Sequence, residues 1–280
     1  MQGNIAASQV KDWDLAYSNL EHVAASASYP PLWLERSSEM RKEMEAQGRF
    51  ISDVRYGTRE RNVLDIVTPE GAPRGLVVFI HGGYWRRFDK SFFAHMARGP
   101  VAHGYAVALP SHTPCPKARV GEITQEIGLA ITKAASMVEG PLYITGHSAG
   151  GHLSARMVTT DTPLSPELQK RLRKILPISP VCDLRPLLRL EMNEDFRLDL
   201  EQARSESPAL LEPLAGIDLT AWVGADELPE FVRQNHILVS MWSGFNCQVE
   251  EITEPGKHHM NILDGLSDPD HLLTRKLLCL

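Results

Sequence analysis

The stretch LYITGHSAGGHLSARM, residues 142–157, decides how this chain is read. An apolar run ends near Thr145 and a helix-forming run begins at Ala149, with one serine between glycines at the junction. Gly146-His147-Ser148-Ala149-Gly150 fits G-x-S-x-G, a sharp turn in which a strand passes directly into a helix. Such a turn strains the serine backbone and holds its hydroxyl out at the end of a sheet, where the first amides of the helix also face. The other reading is a glycine-rich structural turn. The strand before it and the helix after it favour a nucleophile, Ser148, with the Ala149 amide as one donor to an oxyanion.

Working outward, short β-branched runs alternate with longer amphipathic ones. FISDVRYG (50–57) and NVLDIVTP (62–69) read as an antiparallel pair joined by the polar TRER turn. GLVVFI (75–80) and YAVALP (105–110) are continuous apolar strands, of the kind buried on both faces of a parallel sheet. Residues 121–139 carry Ile123, Ile127, Ala130, Ile131, Ala134 and Val138 at helical spacing. PLYIT (141–145), KILPISP (174–180), LTAWVG (219–224) and CQVEEIT (247–253) complete the strands, and PEFVRQNHILVSMW (229–242) reads as a helix with Pro229 in its first turn. Alternation of this kind predicts an α/β fold: one domain over 1–280 with a mostly parallel sheet and helices on both faces. Its reacting groups should gather beyond the carboxyl ends of the strands. Two regions fall outside the alternation, an aromatic helical leader (1–49) and a charged, Leu-rich insertion (181–216). Either one could cap the end of the sheet or simply pack against it.

Composition narrows the function. The chain has 280 residues, 43% hydrophobic and 23% charged, which is ordinary for a globular enzyme. Its net charge of −6, with no basic cluster, argues against nucleic acid or an anionic membrane as partner. The four cysteines form no CxxC pair, so reduced thiols in a cytosol are expected rather than disulfides or a cysteine zinc site. MQGNIAASQVKDWDLAY shows no signal-peptide pattern, and no apolar run is long enough to span a bilayer. A cytoplasmic protein is expected, with a small-molecule substrate, no cofactor and no metal; a homodimer stays open.

A serine hydroxyl needs a base, and the base an orienting acid. For a serine on this kind of turn they follow in the order acid, histidine. After LTAWVG come Asp226 and Glu227, and after the last strand comes EPGKHHMNIL with His258 and His259. Counting from Gly224 favours Glu227, while Asp226 is the commoner residue type for the role. His259, next to the apolar MNIL run, is preferred as base, with His258 as its neighbour. HGGYW (81–85) directly follows the strand GLVVFI, and its two glycines leave room for a backbone to face a substrate. The amides of Gly83 and Tyr84, with that of Ala149, are the expected oxyanion donors. His81 reads as a support for this loop, and His147 and His152 as packing groups. Tyr84 and Trp85 either line the pocket or pack the loop. Arg86 and Arg87 read as a solvated pair that could attract a carboxylate.

With HGGYW, GHSAGGH (146–152) and KHHMNIL (257–263) in this order, the sequence resembles the kynurenine formamidase (arylformamidase) branch of the α/β-hydrolases. The leader AYSNLEHVAASASYPPLW (16–33) and the segment VGADELPEFVRQ (223–234) extend the likeness over nearly the whole chain. The resemblance implies an α/β-hydrolase fold, an oxyanion site at Gly83 and Tyr84, nucleophile Ser148, base His259 and acid Glu227. It also implies hydrolysis of N-formyl-L-kynurenine to formate and L-kynurenine. The same branch contains general esterases and thioesterase-like proteins. Many members carry Phe after the histidine, where this chain has Met260.

Overall fold

A computed structural model describes residues 10–280. The first nine residues of the expected leader lie outside the described ones. The leader then runs through helix α1 (Trp13–Tyr17) and the long helix α2 (Tyr29–Ala46). Asp12 starts α1 by accepting the Leu15 amide at 3.0 Å, which satisfies an amide that the first turn leaves without a partner.

Eight strands form one sheet in the spatial order β1-β2-β4-β3-β5-β6-β7-β8. They are β1 (Phe50–Arg55), β2 (Val63–Val67), β3 (Leu76–Ile80), β4 (Ala106–Pro110), β5 (Leu142–His147), β6 (Leu172–Ile178), β7 (Asp218–Gly224) and β8 (Gln248–Glu254). β2 runs antiparallel to β1 and β4, and the remaining neighbours are parallel. Period-2 alternation splits each inner strand between two cores. Leu76, Val78 and Ile80 of β3 belong to one core, and Val77 and Phe79 to the other. Every residue of β3 and β4 is buried, as their unbroken apolar runs require.

Helix α3 (Val120–Ala135) packs Ile123, Ile127, Ala130, Ile131 and Ala134 on the first core. Glu122 reaches back to the Arg119 amide at 2.8 Å and fixes the start of this helix. The helix ends at Ala135, short of the expected 139, and the chain turns toward Gly140 at φ 90°. Helix α4 (Ala149–Arg156) follows the serine and helix α5 covers Pro229–Trp242. The insertion 181–216 holds only short helical turns, tied down at both ends. Gln234 Oε1 of α5 accepts the amides of Cys182 and Asp183 at 2.8 and 2.7 Å. Trp242 Nε1 donates to the Pro208 carbonyl at 3.0 Å.

The sheet changes direction of build at β3, with β4 on one side and β5 on the other. A crevice forms beyond the carboxyl ends of strands at such a point. The loop that follows β3 and the turn that follows β5 both enter it. Among the described residues, no helix is long and apolar enough to cross a membrane.

Candidate active site

Ser148 sits between β5 and α4 at φ 56° and ψ −114°, a backbone conformation that non-glycine residues rarely take. The turn is over-determined by its surroundings. The Ser148 amide donates to the Ile178 carbonyl at 2.8 Å. A Cβ at Gly146 would lie 2.4 Å from the Gly150 carbonyl oxygen, and one at Gly150 would lie 2.0 Å from that of Ile80. Only glycine lets α4 start this close to β3.

The loop after β3 closes on the same point. A Cβ at Gly82 would meet the His147 carbonyl oxygen at 2.8 Å and the Ser148 Cβ at 3.3 Å, so this backbone lies directly against the serine. Gly83, Tyr84 and Trp85 follow with φ of 107°, 51° and 55°. The Gly83 carbonyl is turned back to accept the amides of Arg86 and Arg87 at 3.1 and 2.9 Å. Among the described residues, the amides of Gly83, Tyr84 and Ala149 have no backbone acceptor. Free amides held by a strained loop and a helix start are suited to a negative oxygen.

His259 follows β8 and is buried against β7's end. Its Nδ1 lies 2.6 Å from Glu227 Oε2, and since a carboxylate can only accept, the ring donates. Glu227 is held in turn by Ser179 Oγ at 2.5 Å and by the Gly224 amide at 2.9 Å, both donating to its Oε1. Ser179 itself stands at φ 48°, just past β6. Asp226 does not reach the histidine: it is exposed, and its backbone serves the turn, with its amide donating to Lys257 O at 2.9 Å. His147 and Phe231 flank the His259 ring at centroid distances of 4.4 and 4.5 Å. Burial first, and then the neighbouring His259, holds His147 well below the usual histidine range, so it stays neutral. No hydrogen bond joins Ser148 to His259 in this conformation, but both line one cavity.

His258 organises the turn rather than the site. Its Nδ1 accepts the Met260 amide at 3.2 Å, and its edge meets the Tyr29 ring. His81 donates from Nδ1 to the Gly82 carbonyl at 2.8 Å and stacks on His112, so it supports the loop from below. His152 bonds the Glu206 carbonyl at 2.6 Å, away from the serine.

The cavity measures about 260 Å³. Tyr84 lines it, with its hydroxyl donating to the Tyr17 carbonyl at 2.7 Å. Trp85 does not: its ring is fully buried between His152 and Phe196, so of the two aromatic residues expected at the substrate, this one packs the loop. The aromatic bulk from Tyr17, one of the aromatic residues of the leader, is fixed by Glu230 and Gln234 of α5, each 2.9 Å from its hydroxyl. Trp33, Phe88 and Phe93 add further apolar wall, and Met260 stands beside His259. Asp14, Glu21, Glu191, Arg86 and Arg87 bring charges of both signs to the lining. Among the described residues, no group of three or more His, Cys, Asp or Glu side chains could hold a metal ion.

With this geometry in hand, comparisons with known proteins agree on the class. The BD-FAE family model matches residues 64–188, the part running from β2 through the serine turn. Kynurenine formamidase of Danio rerio is 28% identical over 240 residues, covering 81% of this chain and 80% of that protein. A crystal structure of a candidate thioesterase from Silicibacter sp. TM1040 is 41% identical, with a TM-score of 0.91 over 95% of this chain and 99% of that one. An inhibited esterase B from Lactobacillus rhamnosis shares the fold at 16% identity, with a TM-score of 0.64 over 90% and 93% of the two chains. The fold and these likenesses make this chain an α/β-hydrolase enzyme for small acyl substrates, similar in sequence to the kynurenine formamidases.

Proposed function

We propose that this hydrolase acts through Ser148 and that its substrate is N-formyl-L-kynurenine, cleaved to formate and L-kynurenine. The observation that carries the mechanism is the Glu227–His259 hydrogen bond, in a cavity that also holds Ser148 and borders the free amides. Glu227 fixes the imidazole with Nδ1–H toward the carboxylate, which leaves Nε2 as the base. Ser148 Oγ attacks the formyl carbon while its proton passes to His259. The oxyanion takes hydrogen bonds from the amides of Gly83, Tyr84 and Ala149, each worth about 3–4 kcal/mol in the transition state of comparable sites. The C–N bond then breaks as His259 returns the proton to the aniline nitrogen. Water, activated by the same histidine, releases formate from the serine. Aniline is a poor leaving group as an anion, so the protonation step matters more here than for an ester.

The choice of substrate rests on the likeness to kynurenine formamidase over four-fifths of the chain. The cavity is compatible with it: aromatic walls suit one benzene ring, and lining charges of both signs suit an amino-acid head. A second reading, hydrolysis of a small ester or thioester, is favoured by the 41% identical structure described as a candidate thioesterase. Kinetics on N-formyl-L-kynurenine, short-chain 4-nitrophenyl esters and an acyl thioester separate the two. We expect the highest kcat/KM on the formamide, abolished (by at least ~10³-fold) in Ser148→Ala. A specificity constant for the formamide far below that for the esters or thioester would overturn the first reading in favour of the second.

A further inference from the structure

Asn19 lines the cavity from the leader, two residues after the anchored Tyr17. The residue is only 4% exposed, and neither Oδ1 nor Nδ2 has a hydrogen-bond partner. A carboxamide can accept through its oxygen and donate twice through its nitrogen, and leaving both ends unpaired in the interior is costly. Buried polar side chains almost always find partners, so an orphan at the wall of an active cavity points to a ligand that supplies them. The backbone on either side is fixed. Tyr17 is held by Glu230 and Gln234, and the Asn19 carbonyl accepts the Val23 amide at 3.1 Å.

We infer that Asn19 is a substrate-binding residue that selects amides over esters. The leaving side of an acylamide carries an N–H donor next to a carbonyl acceptor, and a carboxamide matches both at once. An ester offers acceptors only and would leave Oδ1 unpaired. Water reaches neither atom in the present conformation, so engagement requires the side chain to turn toward the cavity that its residue lines. The inference deepens the amide-hydrolase reading given above and rests on it.

The test compares the wild type with Asn19→Leu, which keeps the volume and removes both polar ends, and with Asn19→Gln. Three substrates are used: 4-nitroacetanilide and 4-nitrophenyl acetate, which share an acyl group and differ in amide against ester, and N-formyl-L-kynurenine. Asn19→Leu is expected to lower kcat/KM on both amides by at least about tenfold, the effect of one lost buried hydrogen bond, and to leave the acetate ester within about threefold. Its melting temperature should hold or rise, because an unpaired buried group has gone. Asn19→Gln should recover part of the amide activity. An equal fall on amide and ester, or none on either, overturns the inference, as does a wild type that cleaves neither amide. A wild type that cleaves 4-nitroacetanilide but not N-formyl-L-kynurenine removes that substrate while the Asn19 comparison still decides this inference.

Discussion

At the scale of single residues, the proposed acid was the hardest choice to make from sequence. Asp226 and Glu227 are adjacent on one turn, and neighbouring residues of a turn send their side chains in different directions. What separates them is tertiary: the Gly224 amide and Ser179, which stands at a left-handed backbone angle just past β6, both grip Glu227. A serine before a proline gives no hint of that role in a single sequence. The proposed nucleophile and base, Ser148 and His259, carry plainer signals, because the strand-to-helix turn and the loop after the last strand each have a local signature. Glu227→Gln should lower kcat by on the order of 10³–10⁴-fold, since the neutral amide no longer fixes the tautomer or balances the imidazolium. Asp226→Asn should stay within about threefold. Measuring kcat for both variants on the best substrate decides it; the reverse pattern would move the acid to Asp226.

At the scale of elements, the alternation of apolar runs showed all eight strands, and most plainly the inner parallel ones, which are short, continuous and bounded by polar turns. Their ends were less legible. β5 continues through Gly146 and His147, beyond the expected 145, since pairing with β6 reaches to Ile178. The spacing between α4 and β3 is where element packing and chemistry meet, because it fixes the backbone angle of Ser148. Gly150→Ala puts a Cβ 2.0 Å from the Ile80 carbonyl oxygen, with only rigid backbone to give way. Loss of folding stability above about 3 kcal/mol is expected, at the upper end of overpacking effects. Gly244→Ala is the control: its nearest neighbour would be 3.7 Å away, and stability should change by less than about 0.5 kcal/mol. Urea midpoints of the two variants check both values, and a Gly150→Ala protein as stable as wild type would contradict the packing described for the serine turn.

At the scale of the whole molecule, the cavity itself was beyond the sequence. Besides the residues around Ser148 and His259, its walls come from the leader, the loop after β3 and the insertion, segments whose place over the sheet is set by docking rather than by any pattern in their own sequence. The same dense packing buries many histidines and predicts how the protein responds to acid. Burial, the largest cause in each case, pushes His81 down to about 4 and His95 and His152 down to about 3, and holds His112 and His147 well below the usual range. In the unfolded chain each titrates near 6.5. Below that value the unfolded state binds protons that the folded state refuses, so the stability these groups contribute is complete above about pH 6.5 and is lost as pH falls toward their folded values. Each such proton steepens the loss by about 1.4 kcal/mol per pH unit. Melting temperatures at pH 8, 7, 6 and 5 should therefore be level at first and then fall steeply below pH 6.5, before most carboxylates begin to protonate. His95→Gln, at a residue that pairs with Ser37 and does not line the cavity, should flatten the acid limb by one proton's share. A melting temperature unchanged between pH 7 and 5 would mean that these side chains take up protons without unfolding the protein.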